Sequence, residues 1–388
     1  MRVHVIDPSA YTPPYDHALC RALGAAGAEV ELFTSRFAYG PVALTDGYER
    51  REFFYRAARG APRSRLRTAT KLAEHVPDML RYRRAARSAD IAHFQWLPVQ
   101  QLDGGLLPRV RGGWGPKLIL TAHDVMPREP RPGQLAAQRR LYERFDAVVV
   151  HSEHGRERLT GELNLEPDRV HVIPHGVFDH LAVDQSSGAA GGRAGGRAPF
   201  QTEKPVVLCF GLMRPYKGID VLLQAWHGIE DAELWIAGMP RMDISRLRAG
   251  APPNVRFVPR FITDSELPAY FRRAALVVLP YREIDQSGVL FTALAFGKPL
   301  LLSDVGGFPD LAGTGAARIV AAGDARALGV ALRGALQQLL GDSAALVSMA
   351  AAARAAAEGK YSWEAIARRT LDLYESLLRE RAGGSPIK

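Results

Sequence analysis

The chain has 388 residues, 47% of them hydrophobic, which is too long for one typical domain and suits two cores of roughly 150 to 200 residues each. Its two cysteines, Cys20 and Cys209, lie far apart in apolar segments, which argues against a disulfide framework or a thiolate metal site and for a reducing cytoplasm. The net charge of +9 is concentrated in residues 51 to 87, where 11 Lys or Arg face only Glu52, Glu74 and Asp78.

In chain order, MRVHVIDPSAY reads as a strand and a loop, without the long apolar core of a signal peptide, and no later run approaches the roughly 20 apolar residues that span a bilayer. RVHVID, VELFT, IAHFQW, KLILTAH, AVVVHS and RVHVIP read as short buried strands, with helical patterns such as HALCRALGAAG and AAQRRLYERF between them. The basic 51 to 87 segment is either a solvated face or a patch for anionic lipid, nucleic acid or an acidic acceptor. QSSGAAGGRAGGRAP, from 185, has no apolar face to bury and reads as a flexible linker or loop.

The alternation then restarts with VVLCF, ELWIAG, VRFVP, ALVVLP, PLLLSD and ARIVAA, and WEAIARRTLDLYESLLRE closes the chain as an amphipathic helix. Strands alternating with helices imply parallel, doubly wound sheets. The expected organisation is an α/β domain over 1–182, a linker over 183–200, a second α/β domain over 201–360, and a C-terminal helix over 361–388 packing back on the first domain. A ligand is expected in the cleft between the two domains.

Four constellations near strand ends carry chemistry. KLILTAHDVMP ends a strand at His123, where a neighbouring carboxylate, Asp124, is suited to fixing a histidine tautomer; a core or capping histidine is the alternative. VHVIPHGVFD places His175 before the linker, where a structural role is expected. VVLCFGLMRPYKGID reads as strand, tight turn and helix, with Gly211 permitting close approach and Arg214 and Lys217 converging on an anion; a solvated basic turn is the bland alternative. PYREIDQSGVLF leads a polar turn, Glu283, Asp285, Gln286, Ser287 and Gly288, into a helix near Val289; an anion site and an ordinary N-cap look alike there.

Taken together, TAHD, VHVIPHGV, FGLMRPYKGID, ELWIAG, ALAFGKPLLLSDVGG and YSWEAIARRT, in that order, resemble the retaining glycosyltransferases of family 4. The resemblance implies the GT-B fold, two Rossmann-like domains facing a cleft, and transfer of a sugar from a nucleotide-diphosphate donor, UDP- or GDP-linked, to a glycan, lipid-linked or small-molecule acceptor. No metal or cofactor is implied; the nucleotide-sugar is a co-substrate. Arg214 and Lys217 would bind the diphosphate, with backbone N–H groups near Gly288 and Val289. His123 would lie by the donor sugar, and Phe261 and Ile262 would meet the base through backbone contacts.

Two departures stand out. The family usually has two glutamates with seven residues between them, the first on sugar hydroxyls and the second on the ribose; ungapped counting places Ile284 and Thr292 there. Glu283 or Asp285 would replace the first after a one-residue shift, and Thr292 would offer the ribose one hydroxyl. In the first loop, Pro13, Pro14 and Tyr15 stand where many relatives have paired glycines, so Tyr15, Asp16 or His17 is expected to shape the acceptor side. The competing readings are a silent nucleotide-sugar sensor or scaffold and another GT-B enzyme such as an epimerase. A DNA-binding role for the basic patch has no recognisable motif behind it. The expected location is cytoplasmic, with the patch meeting the inner membrane face.

Overall fold

The structure is a computed structural model that describes residues 1–38, 40, 42–59, 64–108, 115–127, 132–182 and 200–383. The segment expected as a linker lies outside the described residues except for Phe200. The chain divides into two compact units, Met1–Pro174 with Trp363–Lys388, and His175–Ser362.

Among its described residues the first unit holds seven parallel strands: β1 (Arg2–Asp7), β2 (Glu29–Ser35), β3 (Glu49–Phe54), β4 (Ile91–Phe94), β5 (Lys117–Thr121), β6 (Ala147–Val150) and β7 (Val170–Val172). They pair in the order β3-β2-β1-β4-β5-β6-β7. Six coincide with the apolar runs of the sequence, because a parallel strand covered on both faces is apolar at nearly every position. The strand not foreseen is β3, ERREFF, an edge strand of four charged residues followed by two phenylalanines. Its Arg51 pairs with Glu31 and Glu49, each at 2.9 Å, so part of the basic segment is neutralised within the sheet.

Helix α1 (Pro13–Ala25) starts with two prolines at its first positions, where no N–H is needed and φ is already helical. It packs beside the C-terminal helix Trp363–Gly383, whose Trp363 lies edge-on to Tyr15 at 5.1 Å and whose Tyr374 hydroxyl is 2.6 Å from His93 Nδ1. Helix α2 (Arg65–Ala85) is capped by the Ser64 hydroxyl, which accepts from the Arg67 N–H at 3.2 Å.

The second unit has β8 (Val206–Phe210), β9 (Glu233–Ala237), β10 (Val255–Val258), β11 (Leu276–Leu279), β12 (Leu300–Ser303) and β13 (Ala317–Val320). All are parallel, in the order β10-β9-β8-β11-β12-β13, and all follow the apolar runs of the sequence. The unit begins at His175, earlier than the boundary expected after Ala182. The reason is local: past Pro174 the Val177 N–H donates to Tyr361 O at 3.0 Å, and His175 stacks on Phe291 at 4.6 Å.

Each sheet reverses its winding once, between β1 and β4 and between β8 and β11. Loops leaving the carboxyl ends at such a switch point diverge and leave a crevice, the usual ligand position in open α/β sheets. The switch-point loops of this chain begin at Pro8, Gln95, Gly211 and Pro280.

Candidate functional site

In the second unit the loop after β8 carries Gly211, Arg214 and Lys217. Gly211 has φ +105, and a Cβ built there would stand 2.9 Å from Lys217 Nζ and 3.2 Å from Val289 Cγ2. Only glycine leaves that point open, which brings the end of β8, the lysine and the start of the helix Gly288–Ala295 together. Lys217 is buried, and its ammonium donates to Tyr281 Oη at 2.8 Å. Among the described residues it makes no ion pair; burial lowers its pKa, and the neighbouring Arg214 lowers it further. Arg214 is exposed on the same turn.

The loop after β11 is pinned from the far side. Gly307 N–H donates to Asp285 O at 3.1 Å, and a Cβ at Gly306 would stand 1.7 Å from Ile284 O, so VGG after β12 is a buttress for the 283 to 287 turn. Glu283 is exposed, Asp285 and Gln286 are half-buried, and the Ser287 N–H donates to Gln286 Oε1 at 3.3 Å. Ser287 is the N-cap residue by position but makes no side-chain cap, and its Oγ lies 3.5 Å from Tyr281 Oη. The helix thus starts beside the strand end that carries the lysine, since Val289 Cγ2 and Lys217 Nζ both border the open point at Gly211.

Thr292 is buried, and its hydroxyl donates to Gly288 O at 3.0 Å, which leaves acceptor capacity for a ligand hydroxyl. Phe261 is 60% exposed and Ile262 is buried. The Phe261 carbonyl already accepts from Arg260 Nη1 at 2.9 Å, while Arg260 grips Glu266 through two contacts of 2.6 and 3.0 Å.

In the first unit His123 stands at the end of β5, half-buried, with Trp96 stacked on one face at 5.0 Å and Tyr15 edge-on at 4.8 Å. Its Nδ1 is 3.2 Å from His151 Nε2, and its Nε2 is 3.1 Å from Gln95 Oε1. His151 is buried at the end of β6, and its Nδ1 donates to Ile173 O at 3.0 Å. Burial holds His151 down to about 4, so it is neutral at physiological pH and its Nε2 is an acceptor. His123 must then donate from Nδ1, which leaves a lone pair at Nε2. As placed, Gln95 turns Oε1 to the ring and leaves its Nε2 without a partner; exchanging the amide's O and N puts an NH2 on that lone pair and satisfies both groups. The tautomer of His123 is therefore set by His151. Asp124 is exposed.

The residues expected on the acceptor side are placed differently. Tyr15 is buried against His123, His151 and Trp363. Asp16 is also buried and turned inward beside Asp7; burial first, and then the nearby Asp7 carboxylate, raise its pKa well above the usual carboxylate range. His17 faces Tyr48, with Nδ1 3.0 Å from the hydroxyl. Sequence reasoning missed Gln95, Trp96, His151 and Tyr281. Three of them are the first polar or aromatic residues after apolar runs already read as strands, and that position was the available signal.

Two parallel α/β units of this topology constitute the GT-B fold. Residues 204–338 match the family model of glycosyl transferases group 1, and residues 15–179 match that of glycosyltransferase family 4, so that together they cover most of the chain. The chain belongs to the family 4 glycosyltransferases. It is 29% identical to a D-inositol 3-phosphate glycosyltransferase of Jonesia denitrificans over 92% of this chain and 89% of that protein. Among solved structures it is similar to sucrose-phosphate synthase from Thermosynechococcus elongatus, with a TM-score of 0.72, 22% identity, and 98% and 100% of the two chains covered. It is also similar to Anabaena HepE in complex with UDP-glucose, with a TM-score of 0.66, 16% identity, and 97% and 100% covered.

Proposed function

We propose that this glycosyltransferase moves a sugar from a UDP- or GDP-linked donor to an acceptor hydroxyl with retention of configuration and without a metal ion. The observation that carries the reading is Lys217: a buried ammonium with no carboxylate partner among the described residues, at a glycine-opened strand end and beside a helix N-terminus. Such a charge is costly unless an anion completes it. A diphosphate fits, with Arg214 as a second cation in place of a metal. The HepE structure with UDP-glucose and the relative's name are consistent with a sugar-nucleotide donor and a hydroxyl acceptor.

In this scheme the bond from the anomeric carbon to the diphosphate breaks as the acceptor oxygen bonds to the same face. The acceptor proton passes to a leaving phosphate oxygen, and Lys217, Arg214 and the helix N–H groups hold the charge that develops there. Both ring nitrogens of His123 are already engaged, so it acts by positioning the sugar rather than as a base. Glu283 or Asp285 meets the sugar hydroxyls, Thr292 the ribose, and the Phe261–Ile262 backbone the base.

Thermal shifts with UDP, GDP, ADP and their common sugar conjugates test the donor assignment. Stabilisation by one nucleotide that vanishes in Arg214→Ala/Lys217→Ala supports it, and no stabilisation by any of them refutes it. Stabilisation without sugar release or transfer favours the silent sensor instead, the reading that Ile284 and Thr292 at the glutamate positions suggest.

We further propose a cytoplasmic protein that meets an anionic membrane surface through α2. The exposed face of that helix runs through Leu66, Leu72, Val76 and Leu80, with exposed Arg65 near one end and Arg84 and Arg87 near the other. Its acidic residues are turned away: Asp78 is buried and bonded to the Tyr55 N–H, and Glu74 accepts from the Ala57 N–H. An apolar stripe with cationic ends suits an in-plane membrane contact. No single described helix is long and apolar enough to cross a membrane.

A further inference from the structure

We propose that Tyr11 and Trp96 form a stacking platform for a pyranose ring of the acceptor, which narrows the acceptor class to a molecule that presents a sugar, such as a glycan or glycolipid. The inference rests on the glycosyltransferase reading of this site. It begins with Asp7 at the end of β1, whose carboxylate accepts from the N–H groups of Ser9, Tyr11 and Thr12 at 3.2, 2.5 and 3.2 Å. Those three bonds, together with Ala10 in the left-handed region at φ +51, fix the first loop in one conformation. The loop turns Tyr11 outward, leaving it 57% exposed although its backbone is held.

Trp96, on the loop after β4, is fixed as firmly. Its Nε1–H donates to Thr12 Oγ1 at 2.9 Å, His123 covers one face, and the Tyr11 ring lies 5.2 Å away at 56°. Tyr11, Trp96 and His123 thus form one aromatic edge from solvent to the strand-end histidine, between the two loops of the first sheet's switch point. A large ring carried in water on a fixed backbone at that place gains from covering an apolar ligand face and, with two side-chain torsions, loses little conformational entropy on binding. The C–H face of a pyranose is such a surface, and its hydroxyls stay at the rim where water can reach them. The buried Tyr15 and Asp16 cannot serve this role; Tyr11 and Trp96 occupy the place expected for them.

The test is saturation-transfer NMR of the whole chain with methyl β-D-glucopyranoside, methyl α-D-mannopyranoside and methyl β-D-galactopyranoside, comparing wild type, Tyr11→Ala and Tyr11→Phe. Tyr11 is exposed, so both variants are expected to fold. The expected result is saturation of ring C–H protons for at least one glycoside, weakened about tenfold in Tyr11→Ala and kept in Tyr11→Phe. Saturation unchanged in Tyr11→Ala, or absent for all three sugars, overturns the proposal. UDP and GDP thermal shifts on the same samples separate the two readings. Nucleotide stabilisation without a Tyr11-dependent sugar signal sinks only the platform, while the sugar signal without nucleotide stabilisation keeps the platform and sinks the donor assignment.

Discussion

Lys217 Nζ donates to the hydroxyl of Tyr281 at 2.8 Å, and that neutral hydroxyl is what a buried cation has here in place of a carboxylate. Burial disfavours the charged ammonium, so its pKa is lower in the folded protein than the 10.5 of a free lysine. The unfolded chain holds more protons between the lowered value and 10.5, so this group makes stability rise with pH across that window. Lys217→Met removes the buried charge and fills similar volume. The expected outcome is a ligand-free protein more stable by about 1 kcal/mol at pH 7 that has lost stabilisation by nucleotide. Denaturant titration with and without UDP or GDP checks both halves, and a variant less stable yet still responsive contradicts the assignment.

The His123–His151 pair predicts an acid-side dependence in the first unit. His151 is held at about 4 by burial, below the 6.5 of a free imidazole, so unfolding takes up a proton as pH falls through 6.5. The stability it contributes is present above pH 6.5 and lost towards pH 4. At pH 5 the loss from this group alone is about 2 kcal/mol. His93, held at about 3, acts in the same direction. Urea unfolding at pH 7 and pH 5 should show a smaller pH-dependent loss in His151→Gln than in wild type.

Asp16 predicts the opposite slope. Its folded pKa is raised, by burial first and then by Asp7, so its contribution is fully present below the unfolded value of 3.8 and is lost as pH rises through the folded one. Asp16→Asn supplies a neutral donor to Asp7 at every pH. It is expected to raise stability by about 1 to 2 kcal/mol at pH 7 and by nothing measurable at pH 3.5. An equal gain at both pH values would falsify this account of the Asp16 carboxyl.

The exposed stripe of α2 makes a prediction independent of catalysis. Leu72→Glu/Leu80→Glu and Arg84→Glu/Arg87→Glu should each abolish sedimentation with phosphatidylglycerol vesicles, and the arginine pair alone should reproduce the effect of high salt. Arg67 is a poorer choice because its guanidinium donates to Ala58 O at 2.7 Å. Sedimentation unchanged in both variants removes the membrane reading and leaves the donor assignment untouched.

Among the described residues, twelve of the thirteen strands were legible in the sequence, because strands buried on both faces are apolar runs and their ends are marked by Gly, Pro or a polar residue. The edge strand β3 was not, since one side faces water and its arginines and glutamates hide the period. The Gly211–Lys217 turn was readable because glycine and lysine at a strand end are local chemistry. The inward turn of Tyr15 and Asp16 was decided by the register of α1 against the sheet and by Asp7, which local pattern does not report. Likewise, Tyr281 for Lys217 and His151 for His123 come from neighbouring strands 64 and 28 residues away in sequence. The sequence determined which residues end at the carboxyl edge of each sheet; only strand order decided which of them meet, because parallel neighbours are set by crossover connections rather than by proximity along the chain.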